Sequence, residues 1–509
     1  RATVRDPKLA ALVRKEQDVK LQIAALAELL SDTPEQGATA SNKSISTIRK
    51  QIVNLQRVRD AFLGEIEKKY PEYVQLIYPH PVSIEEARQA LQPDEVLLTT
   101  YVGDQATYVW VIPPQGEVAY YRADISSDSL ARKVKHLREA LDPQAQLIGD
   151  IPPFDLATAY SLYETLLKPG ASYWRDGTNL LAVCDGPLGF LPLSLLPTDK
   201  VEPKAGKGAL FAEYKKVPWL AKNHAVTVVP SVASLTALRH DRQAHQHSRA
   251  FVGIGDPIFD KTLQSKIAAR NDSQPVTRSA SLLRATRGIS LSENNGRFDM
   301  LPPLPDTAAE LESIATTLGA NPQTDVYLQK RASEKVVKNL DLTSVKVVAF
   351  ATHGLIPGDL NGLRQPALAL TNPTITGEAE DGLLTMGEIL SLKLDADWVV
   401  LSACNTAAGD GAGAEAVSGL GRAFFYAGTK ALLVTNWPIE TTSALKLTTG
   451  LFAAQSGNKQ MGRAEALRQS MLALINGPGY TDSQGRIVFS YAHPIFWAPF
   501  SLVGDGGNL

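Results

Sequence analysis

One cysteine and one histidine have the residue types and the positions of a catalytic pair. His353 follows the apolar run 347–351, and Cys404 comes three residues after the apolar run 399–401. Both runs are rich in β-branched residues, which is typical of fully buried strands. Small or polar residues follow each one. Because side chains at the exits of neighbouring strands form the sites of open α/β sheets, this pattern predicts thiol chemistry at a sheet edge.

Either residue alone has an ordinary structural explanation. A lone buried cysteine usually behaves as a small hydrophobic residue, and a lone histidine is usually a hydrogen-bonded core residue. The two together favour catalysis, because the histidine precedes the cysteine by 51 positions. That order and rough spacing match caspase-type cysteine peptidases.

The chemistry open to this pair is attack by a thiolate on a carbonyl carbon. A thiolate forms near neutral pH only beside a base or a positive charge. His353 can be that base if its strand lies beside the strand that carries Cys404. Attack on an amide creates an oxyanion that needs preorganised N–H donors. We expect these donors to be the backbone N–H groups of Gly354, which has no Cβ in the way, and of Cys404.

Competing chemistries have weaker support. The glycine-rich run 409–413 lacks the lysine and the Ser/Thr of a phosphate-binding loop. The triplet His240, His245 and His247 lies in a polar segment typical of a solvated linker, so we predict no metal there. No Gly-x-Ser-x-Gly elbow of an α/β-hydrolase is present. The sequence therefore predicts neither a metal nor another cofactor.

The composition limits the functional classes to which this protein can belong. The 509 residues are 44% hydrophobic and 20% charged, with a formal net charge of −2. We therefore expect no direct contact with nucleic acid or with a membrane surface, and no apolar stretch approaches a membrane span. Cys184 and Cys404 are the only cysteines, which excludes a disulfide framework and favours the reducing cytoplasm. Cys184 ends another apolar run and is predicted to be a core residue.

The beginning of the chain is predicted to be helical. Apolar residues recur at helical spacing in 8–30 and 45–70, with a polar connection between them. The pattern predicts an antiparallel helical hairpin within residues 1–78. The simplest role for this hairpin is packing against the next domain. A more specific interpretation is that the hairpin is the remnant of a longer sensor or repeat region.

The rest of the chain is predicted to form an α/β fold. Residues 79–305 contain several short strands and a polar segment at about 260–305, which we interpret as a mobile linker. Residues 306–509 alternate helix and strand, which predicts a mainly parallel sheet covered by helices on both faces. The predicted site belongs to this second part.

Several sequence blocks resemble the CHAT-domain peptidases, relatives of caspases and separases. The blocks are Asp185 to Pro192, the pair His353 and Gly354, Leu401 to Gly409, and Trp497 to Phe500, with linking segments at 381–385 and 421–428. The resemblance covers about residues 80–509. It implies a caspase-like fold whose N-terminal half is degenerate. It also implies Cys404 as nucleophile, His353 as its partner and Gly354 at the oxyanion.

The leading functional hypothesis is a bacterial-type cytoplasmic cysteine endopeptidase that acts on a protein substrate. In this family the helical N-terminus commonly senses a partner, so we expect an activating protein or ligand to act through the N-terminal helical region. The long connection 355–380 beside the histidine also fits gating, although an ordinary insertion explains it equally well. The alternatives are a catalytically silent CHAT-type interaction scaffold and, with less support, another thiol chemistry such as acyl transfer.

Substrate preference is predicted from the segment after Trp437. Arginine-selective relatives such as separases carry several acidic residues there, whereas this chain has only Glu440. Asp381 and Glu388 are further sources of charge. We predict Glu440, Asp381 and Trp437 as substrate-binding residues and an apolar or mixed preference at P1, because an uncharged pocket selects only by shape and apolar burial.

Overall fold

The structure is a computed structural model. It describes residues 7–31, 39–71, 73, 82–143, 145, 147–174, 178–202, 208–240, 247–260, 297–402, 412–438, 440–482 and 484–507. No helix within these ranges combines the length and the hydropathy needed to cross a membrane.

Sixteen strands are present in the described ranges. They are β1 (Glu95–Val102), β2 (Thr107–Ile112), β3 (Ala119–Ala123), β4 (Asn179–Val183), β5 (Ala225–Val228), β6 (Arg249–Gly255), β7 (Val326–Leu328), β8 (Val345–Ala351), β9 (Gly354–Leu355), β10 (Ala367–Ala369), β11 (Leu383–Thr385), β12 (Trp398–Leu401), β13 (Ala431–Thr435), β14 (Tyr480–Thr481), β15 (Ile487–Phe489) and β16 (Phe500–Gly504). Strands β8 and β12 are almost entirely apolar because helices cover both faces of the sheet, which is the rule for parallel strands.

Eleven of these strands form one large sheet in the order β3-β2-β1-β4-β5-β16-β13-β12-β8-β6-β7. The neighbours from β1 to β16 are parallel to one another, and so are those from β13 to β7. The two parallel groups meet where β16 pairs antiparallel with β13. Their strands therefore run in opposite directions and end at opposite edges of the sheet.

Sixteen α-helices accompany the strands in the same described ranges. They are α1 (Pro7–Ser31), α2 (Thr39–Lys69), α3 (Ile84–Gln89), α4 (Ser127–Glu139), α5 (Leu156–Leu166), α6 (Leu220–Asn223), α7 (Val232–His240), α8 (Asp306–Thr317), α9 (Pro322–Asp325), α10 (Glu334–Asn339), α11 (Pro373–Thr376), α12 (Met386–Ile389), α13 (Ala412–Ala427), α14 (Thr441–Gly457), α15 (Arg463–Asn476) and α16 (Pro494–Trp497). The predicted α/β class with a mainly parallel sheet is confirmed.

The predicted helical hairpin corresponds to α1 and α2. Glu16 of α1 is buried and its carboxylate pairs with the guanidinium of Arg59 in α2 at 2.7 Å. Leu9 of α1 belongs to the same apolar cluster as Leu390 and as Phe424 of α13. The hairpin is therefore packed against the helices that lie on either side of β12 in sequence.

The polar segment predicted to be a mobile linker is described only in part. Residues 261–296 lie outside the described residues. Residues 297–305 are packed, since Leu301 is fully buried in a cluster with Phe259 and Leu355. The apolar side chains near the end of the segment explain why that part is anchored beside β9.

Candidate active site

His353 lies at the exit of β8, next to the strand that leads to Cys404. Strands β8 and β12 are parallel neighbours, with Phe350 opposite Leu401. The N–H of Ser402 donates to the carbonyl of Phe350 at 2.9 Å. Cys404 itself lies outside the described residues. The requirement that the strand before His353 and the strand before Cys404 be adjacent is met by β8 and β12.

The His353 imidazole is oriented by a backbone carbonyl. The side chain is only 1% exposed, and its Nε2 lies 2.8 Å from the carbonyl oxygen of Pro302. A carbonyl only accepts hydrogen bonds, so Nε2 carries the proton in the neutral ring and Nδ1 is the basic nitrogen. The ring of Phe259 packs beside it, with centroids 5.4 Å apart. These two contacts orient the His353 ring, and the contact with Pro302 favours the tautomer that carries the proton on Nε2.

Gly354 begins a small three-stranded sheet, β11-β10-β9, that fixes the backbone around the histidine. The N–H of Ala369 donates to the carbonyl of His353 at 2.9 Å, and the hydroxyl of Thr352 donates to the carbonyl of Ala369. Gly354 and Leu368 therefore form the next, non-hydrogen-bonded pair of the antiparallel ladder. In such a pair the N–H of Gly354 points away from β10, as an oxyanion donor must.

A buried carboxylate that the sequence did not reveal lies under this site. The hydroxyl of Ser402 is 3.3 Å from Oε2 of Glu310 in α8, and both side chains are buried. On the same helix, Oδ2 of Asp306 accepts from the hydroxyl of Thr441 at 3.3 Å. The signal that points to Glu310 is its helical spacing from the buried residues Thr307 and Ile314 of α8.

Two of the predicted substrate-binding residues come after β13, at the same sheet edge as His353. Glu440 is 4% exposed and caps α14, with its carboxylate accepting from the backbone N–H groups of Thr442 at 2.9 Å and Ser443 at 2.8 Å. Burial raises the pKa of Glu440, and these two hydrogen bonds oppose the rise. Trp437 is fully buried, and its indole N–H donates to the carbonyl of Ile495 at 3.1 Å.

The third predicted residue, Asp381, lies in a different element. It is exposed at the start of β11, where its carboxylate accepts from the N–H of Leu383 at 2.9 Å. Nearby, Glu388 accepts from the N–H of Thr385 at 2.9 Å and caps α12. Asp381 therefore lies just before β11 of the small sheet that begins after His353, whereas Glu440 and Trp437 follow β13. Substrate binding by these three residues stays a prediction.

Cys184 follows β4, as expected for a residue at a strand end. Its side chain is partly exposed and packs at the margin of the main core. Burial of the sulfur, with the adjacent Asp185 carboxylate, raises the pKa of the Cys184 thiol to about 12. A thiol with this pKa is almost entirely protonated at neutral pH and is a poor nucleophile.

The histidine-rich segment is only partly described. His245 lies outside the described residues, while Nε2 of His247 is 2.7 Å from the carbonyl oxygen of Asp395. In the part of the chain that the structure covers, no group of three His, Cys, Asp or Glu side chains could hold a metal ion.

The chain is similar to several known proteins. Tetratricopeptide repeat protein 28 of Mus musculus is 23% identical over 387 residues, which is 69% of this chain and 13% of that protein. The chain thus spans only a small fraction of that relative's length. Among solved structures, Saccharomyces cerevisiae separase in its complex with securin has a TM-score of 0.34 and 12% identity, covering 96% of this chain and 27% of separase. The Arg-specific cysteine proteinase gingipain R has a TM-score of 0.33 and 11% identity, with 75% of each chain covered.

The family model gives the decisive match, because it covers most of the chain. The model described as the CHAT domain matches residues 156–505, from the start of α5 to just past β16. The match includes β8 and β12, and therefore the strand exits that lead to His353 and Cys404. This chain belongs to the CHAT domain family.

Proposed function

We propose that this chain is a cysteine endopeptidase that uses Cys404 and His353 as a catalytic dyad. The observation that carries the proposal is the position of His353. It leaves β8 beside β12, and the Pro302 carbonyl holds its Nε2 so that Nδ1 is the basic nitrogen. A base held in one tautomer at the exit of the neighbouring strand is what a cysteine nucleophile at 404 requires.

The proposed reaction proceeds in two steps. Nδ1 of His353 removes the proton from the Cys404 thiol, and the thiolate sulfur bonds to the carbonyl carbon of the scissile amide. The N–H groups of Gly354 and Cys404 donate to the oxyanion. The imidazolium then protonates the departing amine nitrogen as the C–N bond breaks, which leaves a thioester.

Water completes the cycle in the second step. Nδ1 accepts a proton from water as the water oxygen bonds to the thioester carbon. The C–S bond breaks, and the sulfur regains its proton from the imidazolium. The Pro302 carbonyl acts in both steps, because it continues to accept from Nε2–H when the ring is charged and so stabilises the imidazolium. A cytoplasmic setting would keep the Cys404 thiol reduced.

We propose that the substrate is a protein cleaved after an apolar or mixed P1 residue. Glu440 uses both carboxylate oxygens to cap α14, which leaves it poorly placed to bind an arginine side chain. Asp381 is exposed at the small sheet and is the better candidate for a substrate contact. Trp437 is fully buried, and its indole N–H donates to the Ile495 carbonyl, so we expect it to serve the site by fixing the backbone after β13.

We also propose that a protein or ligand partner regulates the dyad through the N-terminal hairpin. Helix α1 contacts α12, which leads into β12. The described part of α13 begins at Ala412, eight positions after Cys404, and α13 shares an apolar cluster with α1. A displacement of the hairpin would therefore act on both sides of the nucleophile strand.

The decisive experiment is labelling with an acyloxymethyl-ketone or vinyl-sulfone probe, followed by mass spectrometry. The expected result is a single modified cysteine at position 404, lost in Cys404→Ala and strongly reduced in His353→Gln. Cys184→Ala is the matched control and should label like the unmodified chain. Equal cleavage of a validated substrate by Cys404→Ala and by the wild type would disprove the mechanism.

A silent interaction scaffold is the second candidate. One observation favours it: His353 is almost fully buried and is enclosed by Phe259 and the Pro302 carbonyl. The same labelling experiment separates the two functions. In a scaffold, Cys404 would react no faster than an unactivated thiol, and His353→Gln would leave its labelling rate unchanged.

A further inference from the structure

Strand β3 is an outer strand of the large sheet, and no strand of the described part pairs with its outer edge. The strand covers Ala119–Ala123 and pairs with β2 in an unbroken register. It contains neither a proline nor a bulge, two features that usually prevent an edge from pairing with another chain, and its one charged residue is Arg122. The edge is therefore a ready template for an additional strand.

The face of the sheet that leads to this edge carries two rows of side chains. One row is Tyr101, Tyr108 and Arg122, and the other is Thr99, Trp110 and Tyr120, each in directly paired positions of β1, β2 and β3.

The rings are close enough to form one surface. The centroids of Tyr101 and Tyr108 are 6.3 Å apart, and those of Trp110 and Tyr120 are 5.1 Å apart. Tyr108 and Tyr120 stack diagonally with parallel planes at 6.4 Å. Tyr101 and Tyr120 are 59% and 58% exposed. An aromatic surface thus reaches the unpaired edge and ends there beside the Arg122 guanidinium.

We propose that β3 pairs antiparallel with β3 of a second copy of this chain, centred on Tyr121, so that the sheet continues across a twofold axis. In this register Tyr120 lies opposite Arg122 of the second copy, and Arg122 lies opposite its Tyr120. A twofold interface requires this reciprocity, in which residue i meets residue j and j meets i. Strand β3 meets this requirement, because Tyr120 and Arg122 lie on either side of its central residue, Tyr121.

The charges favour this register over the one centred on Arg122. The exposed Arg122 guanidinium pairs with Asp124, the residue after β3. In this register it also meets Tyr120 of the second copy, whose ring attracts a cation. A pairing centred on Arg122 would put two guanidinium groups opposite each other. A shift of the pairing register by one residue would turn the second copy so that its packed face continued the aromatic face of the first. Tyr121 prevents this, because its hydroxyl donates to the carbonyl of Leu166 on the packed face at 2.7 Å.

Sedimentation or light scattering over a range of concentrations tests the proposal on the full chain. The wild type should form a dimer whose dissociation constant rises at least tenfold in Arg122→Glu. Arg132→Glu is the matched charge reversal, since Arg132 is exposed on α4 away from this edge, and it should dimerise like the wild type. Thermal melting identifies any variant that has lost its fold.

The exchanged variant Tyr120→Arg with Arg122→Tyr gives the sharpest result. It restores the same reciprocal pairing, because positions 120 and 122 face each other across the axis, so the dimer should return. Amide exchange of residues 119–123 should also slow as the concentration rises. The proposal is overturned by a monomer at every concentration, by a dimer indifferent to Arg122→Glu, or by an exchanged variant that stays monomeric.

Discussion

Cys184 and His353 leave the large sheet at opposite edges. Strand β4 belongs to the group that runs parallel to β16, whereas β8 belongs to the group that runs antiparallel to it. Cys184 therefore lies at the opposite edge of the sheet from His353, and the dyad that we propose pairs His353 with the thiol at position 404. Cys404 is the only other cysteine of the chain, and it lies outside the described residues.

The first prediction follows for Cys184→Ala. Turnover should be nearly unchanged, and the loss of one small, partly buried group should cost at most about 1 kcal/mol of stability. In the wild type, iodoacetamide at pH 8 should alkylate Cys184 very slowly, because a pKa of about 12 leaves roughly one thiol in ten thousand ionised. Peptide mapping measures both cysteines at once. A selective loss of activity with normal melting would contradict this assignment.

The second prediction concerns the base. His353→Gln should lower kcat/KM by on the order of 10²–10⁴, the usual contribution of a general base. Glutamine can still donate to the Pro302 carbonyl, so the fold should survive. His353→Ala should lose the same activity and also stability, because it leaves a cavity at a buried position. Activity equal to wild type in the glutamine variant would show that another group is the base.

The third prediction is a pH dependence centred on Glu334. Burial, together with the nearby Glu388 carboxylate, raises the pKa of Glu334 from 4.5 to about 7, while Lys338 opposes the rise. Between pH 4.5 and 7, Glu334 keeps its proton in the folded chain but has released it in the unfolded chain. The free energy of unfolding should therefore fall as the pH rises from 4.5 to 7.

Glu334→Gln tests this dependence. Glutamine keeps an acceptor for the Gly382 N–H, which lies 2.9 Å from Oε2 of Glu334, but it does not titrate. The melting temperature should therefore decline less steeply with pH in the variant. Glu312→Gln, exposed on α8, is the control and should follow the wild-type curve. If the melting temperature fell equally steeply with pH in Glu334→Gln and in the wild type, Glu334 would be excluded as the cause of the pH dependence.

The fourth prediction separates capping from specificity at Glu440. Glu440→Ala should destabilise the chain by about 1 kcal/mol, the usual cost of losing a helix N-cap, and should leave P1 preference unchanged. A peptide library profiles the P1 position, and thermal melting measures the stability. Near-exclusive cleavage after arginine that disappears in Glu440→Gln would make Glu440 the specificity residue instead.

The fifth prediction concerns regulation. The isolated chain should be weakly active, and Arg59→Ala should raise probe labelling of Cys404, because it removes the ion pair that joins α1 to α2 and leaves the Glu16 carboxylate buried without that partner. Lys69→Ala breaks an exposed pair with Glu65 on α2 and should change nothing. High turnover by the purified wild type, with no partner added, would count against gating.

Parallel strands and their exits were predictable because fully buried β-branched runs have few alternative structures. The sequence did not predict that β8 and β12 are adjacent in the sheet, since residues 352–397 separate the two strands. Pro302 was also missed, because it acts through a backbone carbonyl that any residue carries and falls in a segment predicted to be mobile. The N-cap role of Glu440 was not predicted, because glutamate is not among the preferred N-cap residues; its contact with substrate stays a prediction.

The position of β16 has a consequence for synthesis. It fills the place between β5 and β13, yet it is translated after every other strand of the sheet. Until it emerges from the ribosome, both parallel groups present an open inner edge at the centre of the future sheet. Such edges are prone to aggregation. We therefore expect the nascent chain to need protection until β16 closes the sheet, and the proposed dyad gains the support of a complete sheet only then.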